Sequence, residues 1–156
     1  MWITEFSEEC KAPEAKIWQI LTDVENWKEW IGSIEYSTIE GSFENGTLIT
    51  IKNIKAPKAT NTLKDVFVNK SFTLQSKLPL CTMDCTHEIV KENDVLKVRL
   101  GVKMYGAFSF IFRSIFGKKL ASSLPIATKK VVKLAEKLNE ECDKVVKNHE
   151  NQRRNC

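Results

Sequence analysis

His87 carries the side chain best suited to chemistry in this sequence. Cys81, Met83, Cys85, His87 and Ile89 alternate with Thr82, Asp84, Thr86 and Glu88. On an extended strand the first set shares one face, so the histidine sits among thiols and apolar groups. An imidazole titrates near neutrality and suits hydrogen bonding or acid–base work on a bound molecule. The alternative is a strand histidine that is exposed or bonded to a backbone carbonyl. A zinc site does not fit. At ~3.3 Å per residue, Cys81 and Cys85 lie ~13 Å apart, and ligands must sit ~2.3 Å from one ion. Cys85 and His87 would supply two ligands with no third in view.

No other catalytic pattern is present. The chain lacks Gly-x-Ser-x-Gly, His-Glu-x-x-His, a phosphate loop and a dinucleotide fingerprint, so no cofactor is expected. His149 lies in a polar tail, and Glu8-Glu9 and Glu140-Glu141 read as solvated pairs.

Aromatic residues are the second candidate group. Trp27 and Trp30 are three apart and share a helix face. An indole offers apolar area and one N–H, which suits a ligand wall or a plug at the end of a core. Trp18 falls on an apolar helix face with Ile17 and Leu21 and reads as core. Phe108, Phe110, Phe112 and Phe116 crowd into nine residues. The apolar stripe makes three of them core or pocket wall, while Phe110 falls off it, toward an exposed surface or a cavity mouth. With Arg113, Lys118 and Lys119 beside them, a weak contact with a membrane surface is the other reading.

Composition sets bounds. The 156 residues suffice for one domain with a sizeable core, expected over 1–148, with 149–156 as a frayed polar tail. Net charge is +4, too mild for nucleic acid. It is uneven, with ten Lys/Arg against five Asp/Glu from Lys118 onward, which reads first as a solvated lysine face. No secretory leader and no transmembrane run of about 18 apolar residues is seen. Cys10, Cys81, Cys85, Cys142 and Cys156 are an odd number without framework spacing, so free thiols and a cytoplasmic location are expected.

The elements that hold these residues follow from pattern. Trp2 to Glu8 reads as a strand. Pro13 opens a short helix, since its missing N–H needs no partner there. Thr22-Asp23 caps a second short helix that Gly32 ends. The period then becomes two over Ile34–Thr38, Leu48–Ile51, Leu63–Val68, Ser71–Leu78, Cys81–Val90 and Val95–Met104. Such short connections require antiparallel neighbours. Leu96, Val98, Leu100, Val102 and Met104 mark a buried face opposite Lys97, Arg99 and Lys103. From Phe108 the period returns to about 3.6. Leu120, Leu124, Ala127, Val131, Leu134, Leu138, Cys142 and Val145 form the stripe of a long amphipathic helix, with Pro125 as its kink or its start. The fold class is α+β, a curved antiparallel sheet of six to seven strands wrapped around the last helix, with two short helices after the first strand.

Several motifs carry a family resemblance across Trp2 to Asn139. They are Ala12-Pro13-Glu14, Trp18, Leu21-Thr22-Asp23 with Trp27 and Trp30, Gly41 and Gly46, Gly101 and Gly106, and Leu124-Pro125 followed by Leu134-Ala135-Glu136. In this order they resemble the START-like (SRPBCC, polyketide cyclase/dehydrase) superfamily of helix-grip proteins. The resemblance implies an apolar cavity between sheet and long helix that holds a hydrophobic small molecule. Trp27 and Trp30 would form one wall. Phe72, Leu74, Met83, Cys85 and His87 would line the middle strands, and Val98, Leu100, Val102 and Met104 the last strand. Phe112, Leu124 and Thr128 would face them from the helix. A cyclase/dehydratase-like enzyme using His87, or an accessory module acting on a protein or membrane through its surface, are the alternatives.

Overall fold

The computed structural model describes residues 1–155. Strand β1 (Trp2–Cys10) leads to helix α1 (Glu14–Thr22) and a 3₁₀ segment (Val24–Glu29). Strands β2 (Ile34–Ile39), β3 (Leu48–Asn53), β4 (Lys58–Phe67), β5 (Ser71–Leu78), β6 (Cys81–Glu92) and β7 (Val95–Tyr105) follow, and helix α2 (Ser109–Arg154) closes the chain. The strands form one antiparallel sheet in the order β1-β7-β6-β5-β4-β3-β2. This is the α+β helix-grip arrangement.

Register explains the core. Residues opposite each other in an antiparallel pair point to one face. Leu63, Leu74, Cys85, Val102 and Thr4 form one rung across β4, β5, β6, β7 and β1. Phe72, His87, Leu100 and Phe6 form the next. Helix α2 packs on β1, β7 and α1 through Leu124, Ala127, Thr128, Val131, Val132 and Ala135. The apolar surface of sheet and helix leaves water together, which is the main stabilising term. Lys11 N donates to Glu136 Oε1 at 3.0 Å and pins the β1–α1 junction to α2.

Four local expectations are corrected. The second short helix is 3₁₀, and Asp23 makes no capping bond; its carboxylate accepts from the Asn26 side chain instead. Strand β4 begins at Lys58, because the polar run Lys58–Thr62 pairs with β3 through its backbone whatever its side chains. Pro125 does not start α2 but lies inside it, and the tail from 149 continues as helix to Arg154. Finally, Phe108 and Phe116 are exposed, not core, and Phe110, off the apolar stripe, is exposed with them. The connection into α2 needs Gly106. Its φ is +112°, and a Cβ there would stand 2.6 Å from the Leu80 carbonyl oxygen.

Candidate functional site

The inner rung at Phe72 and His87 is the centre of an aromatic cluster. The two rings stack at 4.3 Å between centroids and 8° between planes. Trp27 lies nearly parallel to both, at 6.4 Å from Phe72 and 6.3 Å from His87. Trp30 meets His87 edge-on at 6.1 Å and Trp27 at 6.2 Å. Phe43 and Trp18 close the other side of Phe72, at 4.9 Å and 5.9 Å.

Local structure explains these positions. The 3₁₀ segment turns back over the sheet because Trp27 Nε1 donates to the Leu21 carbonyl at 2.9 Å. The Ser37 hydroxyl donates to the Val24 carbonyl and ties the same segment to β2. Trp27 is 1% exposed, Trp30 2% and His87 7%. The segment thus caps the sheet with two indoles.

Two polar atoms in this cluster have no partner. They are Trp30 Nε1 and His87 Nδ1, both fully enclosed. A buried polar atom left unpaired costs about 1–3 kcal/mol, and such atoms are rare enough to need a reason. Burial pushes the His87 pKa down to about 4, and the nearby Cys85 and Phe72 carbonyls offset this only in part. The imidazole is therefore neutral at pH 7, with one nitrogen donating and one accepting. Burial, helped by the Asp84 charge, raises the Cys85 thiol to about 12. A thiol that weakly acidic is neither a nucleophile nor a ready metal ligand at neutral pH. Among the described residues no three His, Cys, Asp or Glu side chains converge on one metal position.

The residues singled out from the sequence fall into three groups. Trp27, Trp30, Phe72 and His87 are brought together. Leu74, Val98, Leu100, Val102 and Met104 are buried on the same sheet face, with Met83 and Cys85 half-buried beside them. Leu124 and Thr128 are buried on α2, but the Thr128 hydroxyl is already used on the Leu124 carbonyl at 2.7 Å. Phe112 is half-buried against the edge of the core, and its ring partner is Phe116 at 6.2 Å. Sequence reasoning missed Phe43, a single aromatic in a turn-rich loop. It also missed Asn61, a buried amide that accepts from the Ser76 hydroxyl and donates to the Ile49 and Ala59 carbonyls. A polar residue at an inward position of an alternating strand was the available signal.

The expected cavity is crowded. Rings occupy the space between the middle strands and the 3₁₀ segment. Two open concavities of about 400 Å³ and 410 Å³ indent the surface elsewhere. One is walled by Glu14, Lys70, Glu88 and Arg99, the other by Asn45, Thr62 and Asp65, and neither is lined by His87. Charged, shallow walls suit water better than an apolar ligand.

No family model and no curated protein matches the sequence. Solved structures do. Protein MLL2253 from Mesorhizobium loti aligns with a TM-score of 0.68 at 15% identity, over 87% of this chain and 98% of that one. Norcoclaurine synthase from Thalictrum flavum aligns at 0.64 and 14% identity, over 85% of each chain. The di-domain ARO/CYC protein BexL aligns at 0.62 and 15% identity, over 84% of this chain and 46% of that one. The chain thus shares the helix-grip fold with these structures. At these identities the likeness concerns the fold, and function must be argued from the site.

Proposed function

We propose that this protein binds a hydrophobic small molecule against the inner face of its sheet, with His87 and Trp30 orienting one polar group of that molecule. The unpartnered pair, Trp30 Nε1 and His87 Nδ1, carries this reading. A ligand hydroxyl or carbonyl placed between them would accept from the indole and pair with the neutral imidazole. The surrounding rings and the aliphatic rung supply the apolar contact. Burial of that surface, at about 25 cal/mol per Å² before ordering costs, would provide most of the affinity. Because rings already fill the space, binding must displace at least one of them, and of the two capping indoles Trp30 is the one held by no side-chain bond.

The names of two structural relatives, a norcoclaurine synthase and an ARO/CYC protein from a biosynthetic pathway, agree with a small-molecule site. A cyclase-like reaction through His87 is less well supported. A base with a pKa of about 4 is weak at neutral pH, and no carboxylate orients the ring. We place the protein in the cytoplasm, as a single unit over 1–148, on the reading of its cysteines as free thiols.

Native mass spectrometry of protein purified from its source, followed by organic extraction, tests the proposal. A stoichiometric hydrophobic passenger is expected. With the passenger identified, Trp30→Phe and His87→Phe should each weaken binding about tenfold, the equivalent of ~1.4 kcal/mol. A clean apo mass with no uptake from a lipid and polyketide panel would sink it.

A further inference from the structure

The first turns of α2 leave an apolar patch in water. Phe110 is 65% exposed and Ile115 61%. Phe108, Ile111 and Phe116 are exposed beside them. Leu80, also exposed, joins the patch from the β5–β6 turn, where its carbonyl accepts from Phe108 N at 3.0 Å. Large apolar side chains gathered on one end of a molecule mark a contact surface.

Charge says what kind of contact. From Ser109 to Ala135 the helix carries Arg113, Lys118, Lys119, Lys129, Lys130 and Lys133, and not one acidic residue. Spacing at three and four places Ile111, Ile115, Lys118, Ser122, Ile126, Lys129 and Lys133 along one exposed stripe. It is apolar toward the helix start and basic further on. A second copy of the chain fits poorly, since its α2 carries the same basic stripe and offers no acidic complement over Ser109–Ala135. A neutral apolar partner would leave the lysines unmatched.

We infer that this end of α2 docks on an anionic lipid surface. Phe108, Phe110, Ile111 and Ile115 enter the boundary between headgroups and acyl chains, and Arg113, Lys118 and Lys119 meet the lipid phosphates and carboxylates. The inference is independent of the ligand site. It rests on the exposed face of α2, not on His87 or Trp30.

Sedimentation of the full chain with vesicles of equal parts phosphatidylcholine and phosphatidylserine tests it. The protein should pellet at low salt, stay in solution with pure phosphatidylcholine, and be released when salt rises to about 1 M, where the Debye length is ~3 Å. Phe110→Ser with Ile115→Ser alters exposed positions, so its circular dichroism and melting should match the parent while its vesicle partition falls more than tenfold. Lys118→Glu with Lys119→Glu should lose at least as much, since each basic residue near an anionic surface contributes about fivefold. Failure to pellet at low salt overturns the inference. So does equal binding to neutral vesicles, or equal pelleting of the serine variant. If the parent is dimeric by analytical ultracentrifugation and the serine variant monomeric without any vesicle effect, the face belongs to self-association instead.

Discussion

His87 and Phe72 are direct register partners across β6 and β5, and their rings lie parallel at 4.3 Å. A histidine held face to face with phenylalanine in a dry interior is held neutral. Its properties as a ligand group and its effect on stability have this one cause.

The first prediction concerns pH. The folded pKa of His87 is about 4, while an unfolded histidine titrates near ~6.5. The unfolded state therefore binds more protons in the window between these values, and stability falls as pH drops through it. The parent should lose about 2 kcal/mol between pH 7 and pH 5 from this residue alone, and about 3 kcal/mol by pH 4. Urea unfolding at each pH, compared with His87→Phe, checks this. Parallel curves for parent and variant would show that His87 does not carry the effect.

The two indoles should respond differently to the same substitution. Trp27→Phe leaves the Leu21 carbonyl without its buried donor and should cost about 1–3 kcal/mol. Trp30→Phe removes an N–H that has no partner and should cost no more than about 1 kcal/mol. Thermal unfolding of both variants decides the matter, and equal losses would contradict the hydrogen-bond assignment.

Gly106 and Gly46 separate steric clash from backbone strain. Both have positive φ, +112° and +89°. A Cβ at Gly46 meets nothing within 4 Å, whereas one at Gly106 meets the Leu80 carbonyl oxygen at 2.6 Å. Gly46→Ala should cost about 1–2 kcal/mol for the left-handed conformation. Gly106→Ala should cost more than about 2 kcal/mol, because strain and overlap add. Chemical denaturation of the pair gives the difference, and a milder loss at Gly106 would refute the close approach.

The thiols whose pKa burial raises should label last. Burial raises the Cys85 thiol to about 12 and also raises Cys10. Cys142 is half-buried on α2, with Lys16 Nζ 3.2 Å from its sulfur. In a Cys156→Ser background, since Cys156 lies outside the described residues, iodoacetamide should modify Cys142 well before Cys10 or Cys85. Fast labelling of Cys85 in the folded protein would argue against its burial.

Much of the sheet was legible because β5, β6 and β7 alternate cleanly, and alternation specifies the inward face without knowledge of the partner strand. His87 was placed beside Cys85 and Met83 on that ground alone. Partners lie beyond the reach of periodicity. Nothing in the spacing brings Phe43 against Phe72, a contact between a loop and a strand nearly thirty positions later. The stripe from Phe108 to Phe116 shows the opposite failure. Helical spacing reports a face but not whether anything covers it, and here only Phe112 and Gly117 turn toward the core while Phe108, Phe110 and Phe116 stay exposed. Pro125 does not end the helix. One missing backbone bond is a local cost, and packing along the rest of a 46-residue helix outweighs it.

Strand β1 hydrogen-bonds to β7 along its whole length, from Trp2 opposite Met104 to Cys10 opposite Leu96. On a ribosome β1 is thus made long before its partner in the sheet. At about 5–20 residues per second, the interval is on the order of ten seconds. Throughout that time Trp2, Phe6 and an unpaired backbone edge are available to any chaperone or neighbouring nascent chain, and this edge closes only once β7 has been made.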